Sequence, residues 1–174
     1  MKFVKSPHTS LYSRLNGNTP AFSKKYALYR HASSLPQPPL HPHTLSIAPM
    51  MDYTNKHQRT LMRLITQRAV LYTEMVVCNT LLHRKNRMRS LEADFSVEHP
   101  LVMQLGGSDP AAMHDATRIA MDFGYQEFNI NVGCPSDKVS GAGAFGAVLM
   151  KSPRLVCDLA LATAEALGKF VVKP

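Results

Sequence analysis

With 174 residues, 45% of them hydrophobic, the chain is long enough to bury a core, which excludes disorder throughout. Three cysteines without paired spacing argue against a disulfide framework or a zinc site, and no apolar run approaches the roughly 18 residues of a membrane-spanning helix. The formal charge is +8, but +6 lies in the first 44 residues, and the remaining +2 is too weak to predict nucleic-acid binding.

Residues 1–44 form a basic leader that is rich in Ser and Thr and contains no Asp or Glu. Its prolines between positions 36 and 42 disfavour regular secondary structure. This composition is typical of an organelle transit peptide and equally of a disordered tail. We therefore expect a leader at 1–44 and a folded domain at 45–174, located in a mitochondrion or plastid on the first interpretation and in the cytoplasm on the second.

From position 45 onward, short apolar runs alternate with longer stretches of helical period, which is typical of βα repeats. The helix that starts at Pro110 follows a capping Ser108 or Asp109, and Gly124 ends it. The pattern predicts strands at 45–49, 70–76, 101–105, 127–132 and 170–173, and helices at 55–66, 110–123 and 153–167.

Four strand-helix units and the start of a fifth predict an α/β fold with a parallel sheet. Periodicity leaves open a doubly wound sheet or a TIM-type (β/α)₈ barrel, which usually needs about 200 to 250 residues. On the barrel interpretation the chain holds roughly the first half. In both folds the loops that follow the strands meet at one face and carry the site.

The predicted loops at that face contain side chains suited to bind a ring and move a proton. Cys134 stands at the mouth of the fourth strand, where a thiol can exchange a proton, although a lone cysteine is often simply buried. Asn129 and Asn131 point to the same side of that strand, and we expect an internal hydrogen bond for Asn129 and a ligand for Asn131. Gln104 can bond an imide ring or a neighbouring backbone group, and the Pro-Met-Met turn at 49–51 can pack on a ring or in the core.

A glycine-rich loop at 136–146 contains one lysine and superficially suggests a phosphate site. Neither GxxxxGK[ST] nor a GxGxxG that opens a helix after a strand is present, so we reject a nucleotide fingerprint. A substrate lid and an ordinary surface loop both fit this segment.

Four segments together resemble the tRNA-dihydrouridine synthases and occur in unbroken order between 45 and 173. They are Ala-Pro-Met-Met-Asp-Tyr-Thr at 48–54, Leu-Tyr-Thr-Glu-Met at 71–75, Gln-Leu-Gly-Gly-Ser-Asp-Pro at 104–110 and Asn-Ile-Asn-Val-Gly-Cys-Pro-Ser-Asp at 129–137. The third segment, and the fourth with the Lys-Val that follows it, point to the A-type branch.

The resemblance implies an FMN-bearing barrel that reduces uridine in tRNA to 5,6-dihydrouridine with electrons from NADPH. It implies that Cys134 is the general acid and that Asn131 holds the base. The cysteine spacing and the lack of a long apolar run predict no metal and no membrane. Residues implied to lie at the FMN are Pro49, Met50, Met51, Gln104 and Lys173. Pro174 departs from the usual continuation after that lysine.

Two alternatives differ in what they would bind or reduce. A non-catalytic fragment or pseudo-enzyme would not retain flavin. Another FMN barrel, related to dihydroorotate dehydrogenase or old yellow enzyme, would reduce small quinones or enones and leave tRNA unchanged. The sequence predicts neither the modified uridines nor the oligomeric state.

Overall fold

The computed structural model describes residues 45–85, 87–141 and 144–168. All of them belong to one compact unit. The predicted leader at 1–44 and the predicted fifth strand at 170–173, which carries Lys173, lie outside the described residues.

The described residues form a parallel sheet of five short strands. They are β1 (Ser46–Ile47), β2 (Val70–Tyr72), β3 (Val76–Val77), β4 (Leu101–Gly106) and β5 (Glu127–Ile130). β1 pairs with β2, β2 and β3 both pair with one side of β4, and β5 pairs with its other side. Spatial order thus follows chain order without the reversal that marks a doubly wound sheet. This order is the one expected for consecutive strands of a barrel.

β2 and β3 occupy the stretch that the apolar pattern predicted as one strand at 70–76. Tyr72 pairs with Val102, whereas Val76 pairs with Leu105. The chain advances four residues from Tyr72 to Val76 but only three from Val102 to Leu105. The additional residue in the first segment makes a β-bulge. The prediction of one continuous strand was wrong, because the extra residue at 73–75 interrupts the ladder.

Six helices lie among the described residues, and two 3₁₀ segments, Arg87–Leu91 and Gly146–Lys151, accompany them. The helices are α1 (Lys56–Ile65), α2 (Cys78–His83), α3 (Phe95–Glu98), α4 (Pro110–Asp122), α5 (Asp137–Ser140) and α6 (Pro153–Ala166). The three long helices occur where the sequence predicted them, whereas the short α2, α3 and α5 are too brief to show a helical period. Asp109 is the cap of α4, since its carboxylate accepts a hydrogen bond from the Ala111 N–H.

The core lies between the sheet and the helices that cover one side of it. All six residues of β4 are buried, as expected for a middle strand of a parallel sheet. α4 packs against α2 on one side and α6 on the other. Fully buried side chains of this core are Leu71, Leu81, Met103, Leu105, Met113, Tyr125 and Leu159.

α1 buries its arginines and exposes its aliphatic residues. Leu61 and Ile65 are 53% and 71% exposed, whereas Arg59 and Arg63 are 4% and 7% exposed. The spacing of Leu61, Leu64 and Ile65 therefore predicted the helix correctly but does not mark its buried face.

The hydrogen bonds of the two arginines explain this orientation. Arg63 donates to the carbonyl groups of Thr66, Ala69, Glu98 and Pro100 at 2.9–3.1 Å. Arg59 forms a buried ion pair with Glu98, which also accepts from the Asp94 N–H. Burial lowers the pKa of the Arg63 guanidinium, and the Glu98 carboxylate partly opposes that shift. These polar contacts hold α1 against α3 and the start of β4.

Glu98→Ala would leave the Arg59 guanidinium buried without its carboxylate. We expect the free energy of unfolding, measured by urea denaturation, to fall by about 3–5 kcal/mol, as when one partner of a buried ion pair is removed. Arg154→Ala is the matched control, because the Arg154–Asp158 pair is exposed and should contribute little. Equal losses in the two variants would contradict the structural role of the buried pair.

Candidate active site

A cavity of about 940 Å³ opens at the carboxyl ends of the strands. Its volume lies within the range of about 300–1,000 Å³ that is usual for small-molecule sites. The loops after β1 and β5 and the ends of β3 and β4 contribute to its walls. Parallel strands of this kind present their loops at one face, so the position agrees with the predicted location of the site.

Five of the predicted site residues line this one cavity. They are Pro49, Met51, Gln104, Asn131 and Cys134. Met50 is not among its lining residues in the described structure; its side chain is 42% exposed, and its backbone N–H and carbonyl both bond the Thr54 hydroxyl. Lys173 lies outside the described residues.

Three amide side chains form a hydrogen-bonded row with Gln104 of β4 at its centre. Gln104 and Asn129 are partners in the β4–β5 register, and Gln104 Nε2 donates to Asn129 Oδ1 at 2.7 Å. Asn131 Nδ2 donates to Gln104 Oε1 at 3.1 Å. Gln104 is only 8% exposed, so these bonds satisfy an amide whose burial would otherwise be costly. Its side chain bonds neighbouring amides rather than capping a backbone group.

The loop that carries Cys134 is held on both sides of the residue. Asn131 Oδ1 accepts from the backbone N–H groups of Gly133 at 3.2 Å and Cys134 at 3.0 Å. The Cys134 carbonyl accepts from the Ala147 N–H at 2.9 Å. The thiol-bearing residue is half-buried in the cavity wall, where it can meet both a bound molecule and solvent.

The two other cysteines lie away from the cavity lining. Cys78 is buried, with its Sγ 3.7 Å from Met113 Sδ, and burial raises the pKa of its thiol to about 12. Cys157 is exposed on α6. Of the three thiols, only that of Cys134 belongs to the site.

An apolar wall of the cavity was not predicted from the sequence. A Cβ at Gly106 would stand 2.7 Å from Phe145 Cε2 and 2.8 Å from Met75 Sδ, so the missing side chain lets both residues close over the end of β4. Phe145 is buried although it lies in the glycine-rich loop. Because Phe145 lies in a predicted loop, its burial could not be predicted from the sequence pattern. The available signal was the glycine pair that follows the third predicted strand, which indicates a close approach of other residues.

The bulge also fixes the loop after β1. Glu74 Oε1 accepts from the Asp52 N–H at 2.6 Å, and Asp52 has a left-handed φ of 65°. Thr73 Oγ1 accepts from the Gln104 N–H at 3.1 Å. Two residues of the bulge, Thr73 and Glu74, therefore connect the loop after β1 to β4.

The described residues contain no group of three or more His, Cys, Asp or Glu side chains that could hold a metal ion. Within the same residues, none of the helices has the length and apolar character needed to cross a membrane.

The Dihydrouridine synthase (Dus) family profile matches residues 46–173 of the chain. The chain belongs to the dihydrouridine synthase family. Because this is a family of TIM barrels, the match confirms the predicted (β/α)₈ fold class, and the open five-stranded sheet is part of such a barrel.

Curated relatives within the family include proteins named tRNA-dihydrouridine(20/20a) synthase from several bacteria. The Xanthomonas campestris protein is 52% identical over 122 residues, which are 70% of this chain and 36% of the relative. The Pseudomonas syringae protein is 50% identical over 123 residues, or 71% of this chain and 36% of the relative. The Escherichia coli protein is 47% identical over 113 residues, which are 65% of this chain and 33% of the relative. The chain thus spans about a third of the length of these relatives.

Gly146→Ala tests the packing that supports the Cys134 loop. Gly146 has a φ of 71°, and a Cβ there would stand 2.6 Å from the Cys134 carbonyl oxygen. Gly168→Ala is the matched control, because Gly168 has a φ of 66° but, among the described residues, no atom within 4 Å of its Cβ position. We expect both variants to lose about 1–2 kcal/mol through left-handed backbone strain, and Gly146→Ala to lose more because it displaces the carbonyl. Equal losses in urea denaturation would contradict the close approach.

Proposed function

We propose that this chain supplies the cofactor-ring wall and the proton donor of a tRNA-dihydrouridine(20/20a) synthase of the A-type branch, which reduces uridine in tRNA to 5,6-dihydrouridine. The family match and relatives of that name support the reaction and the substrate class. The observation that carries the proposal is the placement of half-buried Cys134 in one cavity with the amide row. A thiol beside hydrogen-bonding amides suits protonation of a planar base.

The cavity fits the ring system of FMN, the cofactor proposed for this flavoenzyme family. Met75, Val77 and Phe145 provide apolar surface for a flat ring. Gln104 retains one N–H and one oxygen lone pair beyond its two amide bonds, and the imide edge of a flavin can use both. Pro49 and Met51 line the same space.

A reduced FMN bound there would supply the hydride, with its electrons coming from NADPH. The residues of the chain orient the base and complete the reduction. Cys134 donates its thiol proton to the base carbon adjacent to the one that receives the hydride, so a hydride and a proton together saturate the C5–C6 bond. Solvent can then return a proton to the half-exposed thiol.

Asn131 is proposed to hold the base through its amide nitrogen. Both oxygen lone pairs of its side chain are used by the Gly133 and Cys134 N–H groups. One hydrogen of Nδ2 is donated to Gln104, which leaves the other for a carbonyl oxygen of the base.

Cys134→Ala tests the proton-donor role. We expect the variant to retain flavin as the native protein does, and uridine reduction by the full-length enzyme to fall about 10²–10⁴-fold, as for loss of a general acid. Dihydrouridine is measured by mass spectrometry of an unmodified tRNA incubated with FMN and NADPH. Cys157→Ala, which alters an exposed thiol on α6, is the control and should react at the native rate. Native turnover in Cys134→Ala would exclude this residue as the proton donor.

A further inference from the structure

The direction of the amide row is fixed by the backbone of the Cys134 loop. A backbone N–H can only donate a hydrogen bond, and two of them, from Gly133 and Cys134, face the Asn131 side chain. The side-chain atom between them must therefore be the amide oxygen. If the Asn131 amide turned over, its nitrogen would face the two backbone N–H groups. Both hydrogen bonds would then be lost, and hydrogen-bond donors would face one another.

This orientation determines the next two side chains in turn. Because its oxygen is occupied, Asn131 donates from Nδ2 to Gln104, which must accept through Oε1. Gln104 then donates from Nε2 to Asn129, which must accept through Oδ1. The parallel register that pairs Gln104 with Asn129 keeps these two side chains within reach on one face of the sheet.

The two ends of the row are not equivalent. At the Cys134 end, Asn131 makes three hydrogen bonds, two of them to backbone. In the part of the chain that the structure describes, the only hydrogen bond of the Asn129 side chain is the one to Gln104. The backbone of the loop thus sets the order of the row, and Gln104 and Asn129 follow the orientation of Asn131.

We propose that Asn131 is a positioning residue for Cys134, with its side-chain oxygen holding the Gly133–Cys134 backbone at the cavity wall while Gln104 accepts a hydrogen bond from its amide nitrogen. The Ala147 N–H holds the Cys134 carbonyl from the other side, so Asn131 supplies the restraint on the amide side of the residue. The functional meaning of this restraint rests on the proposed proton donation by Cys134. The restraint itself is a property of the chain alone.

Amide hydrogen exchange of the purified chain, measured by NMR without flavin, tests the restraint directly. In Asn131→Ala we expect the Gly133 and Cys134 amides to exchange at least about fivefold faster, the factor that corresponds to a net hydrogen bond of about 1 kcal/mol. In Asn131→Asp one carboxylate oxygen can accept the same two hydrogen bonds, and the other can accept from Gln104 once the amides of Gln104 and Asn129 turn over. Both loop amides should therefore keep native protection. The Asn131 backbone N–H, bonded to the Leu105 carbonyl at 2.9 Å, is the internal reference for intact β4–β5 pairing.

Asn79→Ala removes an exposed asparagine on α2 and is the matched control, with native exchange expected at both loop amides. Native protection of Gly133 and Cys134 in Asn131→Ala would overturn the proposal. So would their loss of protection in Asn131→Asp while the reference amide stays protected. If Asn131→Ala does not fold, the Asn131→Asp variant decides the question by the same criterion.

A second readout reports on the thiol rather than on the amides. In a Cys157→Ser background, with Cys78 buried, the alkylation rate of Cys134 by iodoacetamide at high pH measures access to its side chain. We expect a several-fold faster rate in Asn131→Ala than in the Asn79→Ala control; equal rates would overturn the positioning role. Neither readout needs flavin, tRNA or turnover, so failure of the uridine-reductase proposal would be seen separately in the activity of Cys134→Ala.

Discussion

The site depends on one constraint, the burial of the Gln104 amide in a central strand whose other residues are apolar or glycine. β4 is buried along its whole length, and a primary amide in that setting is costly unless its donors and acceptors are paired. Asn129 and Asn131 meet this requirement from the neighbouring strand and the loop that follows it. Because the oxygen of Asn131 also holds the Cys134 backbone, the polarity of the core is connected to the position of the thiol.

The other walls of the cavity follow from local departures from regular sheet geometry. The bulge at 73–75 turns Thr73 toward the backbone of Gln104 and brings Glu74 to the loop after β1. Gly106 gives Phe145 and Met75 room to cover the strand end. Bulges and strand glycines are common where a backbone must re-aim a side chain or allow close approach, and here both occur at the functional face.

The sequence predicted the parts of the fold that repeat a period or carry a local signal. Buried strands appear as apolar runs, and Asp109 with Pro110 predicted the start of α4 because capping depends on adjacent residues alone. The grouping of Gln104, Asn131 and Cys134 followed from the rule that loops after parallel strands meet.

Features that depend on distant partners could not be predicted in this way. The burial of Arg59 requires Glu98, which is 39 residues away in the chain. The bulge is defined only by the register of β4, and the role of Phe145 depends on the space above Gly106. The resemblance grouped Met50 with Pro49 and Met51; the latter two line the cavity, and the role of Met50 stays a prediction.

The central claim is that the amide row and the apolar wall together form a flavin-ring site. The most direct measurement is the visible absorbance of the purified chain after incubation with FMN and desalting, with quenching of flavin fluorescence followed during titration. The account predicts equimolar bound flavin, and weaker binding in Gln104→Leu, which removes the polar edge of the site. A folded, colourless protein that quenches neither FMN nor riboflavin would contradict the claim and favour a non-catalytic role for this chain.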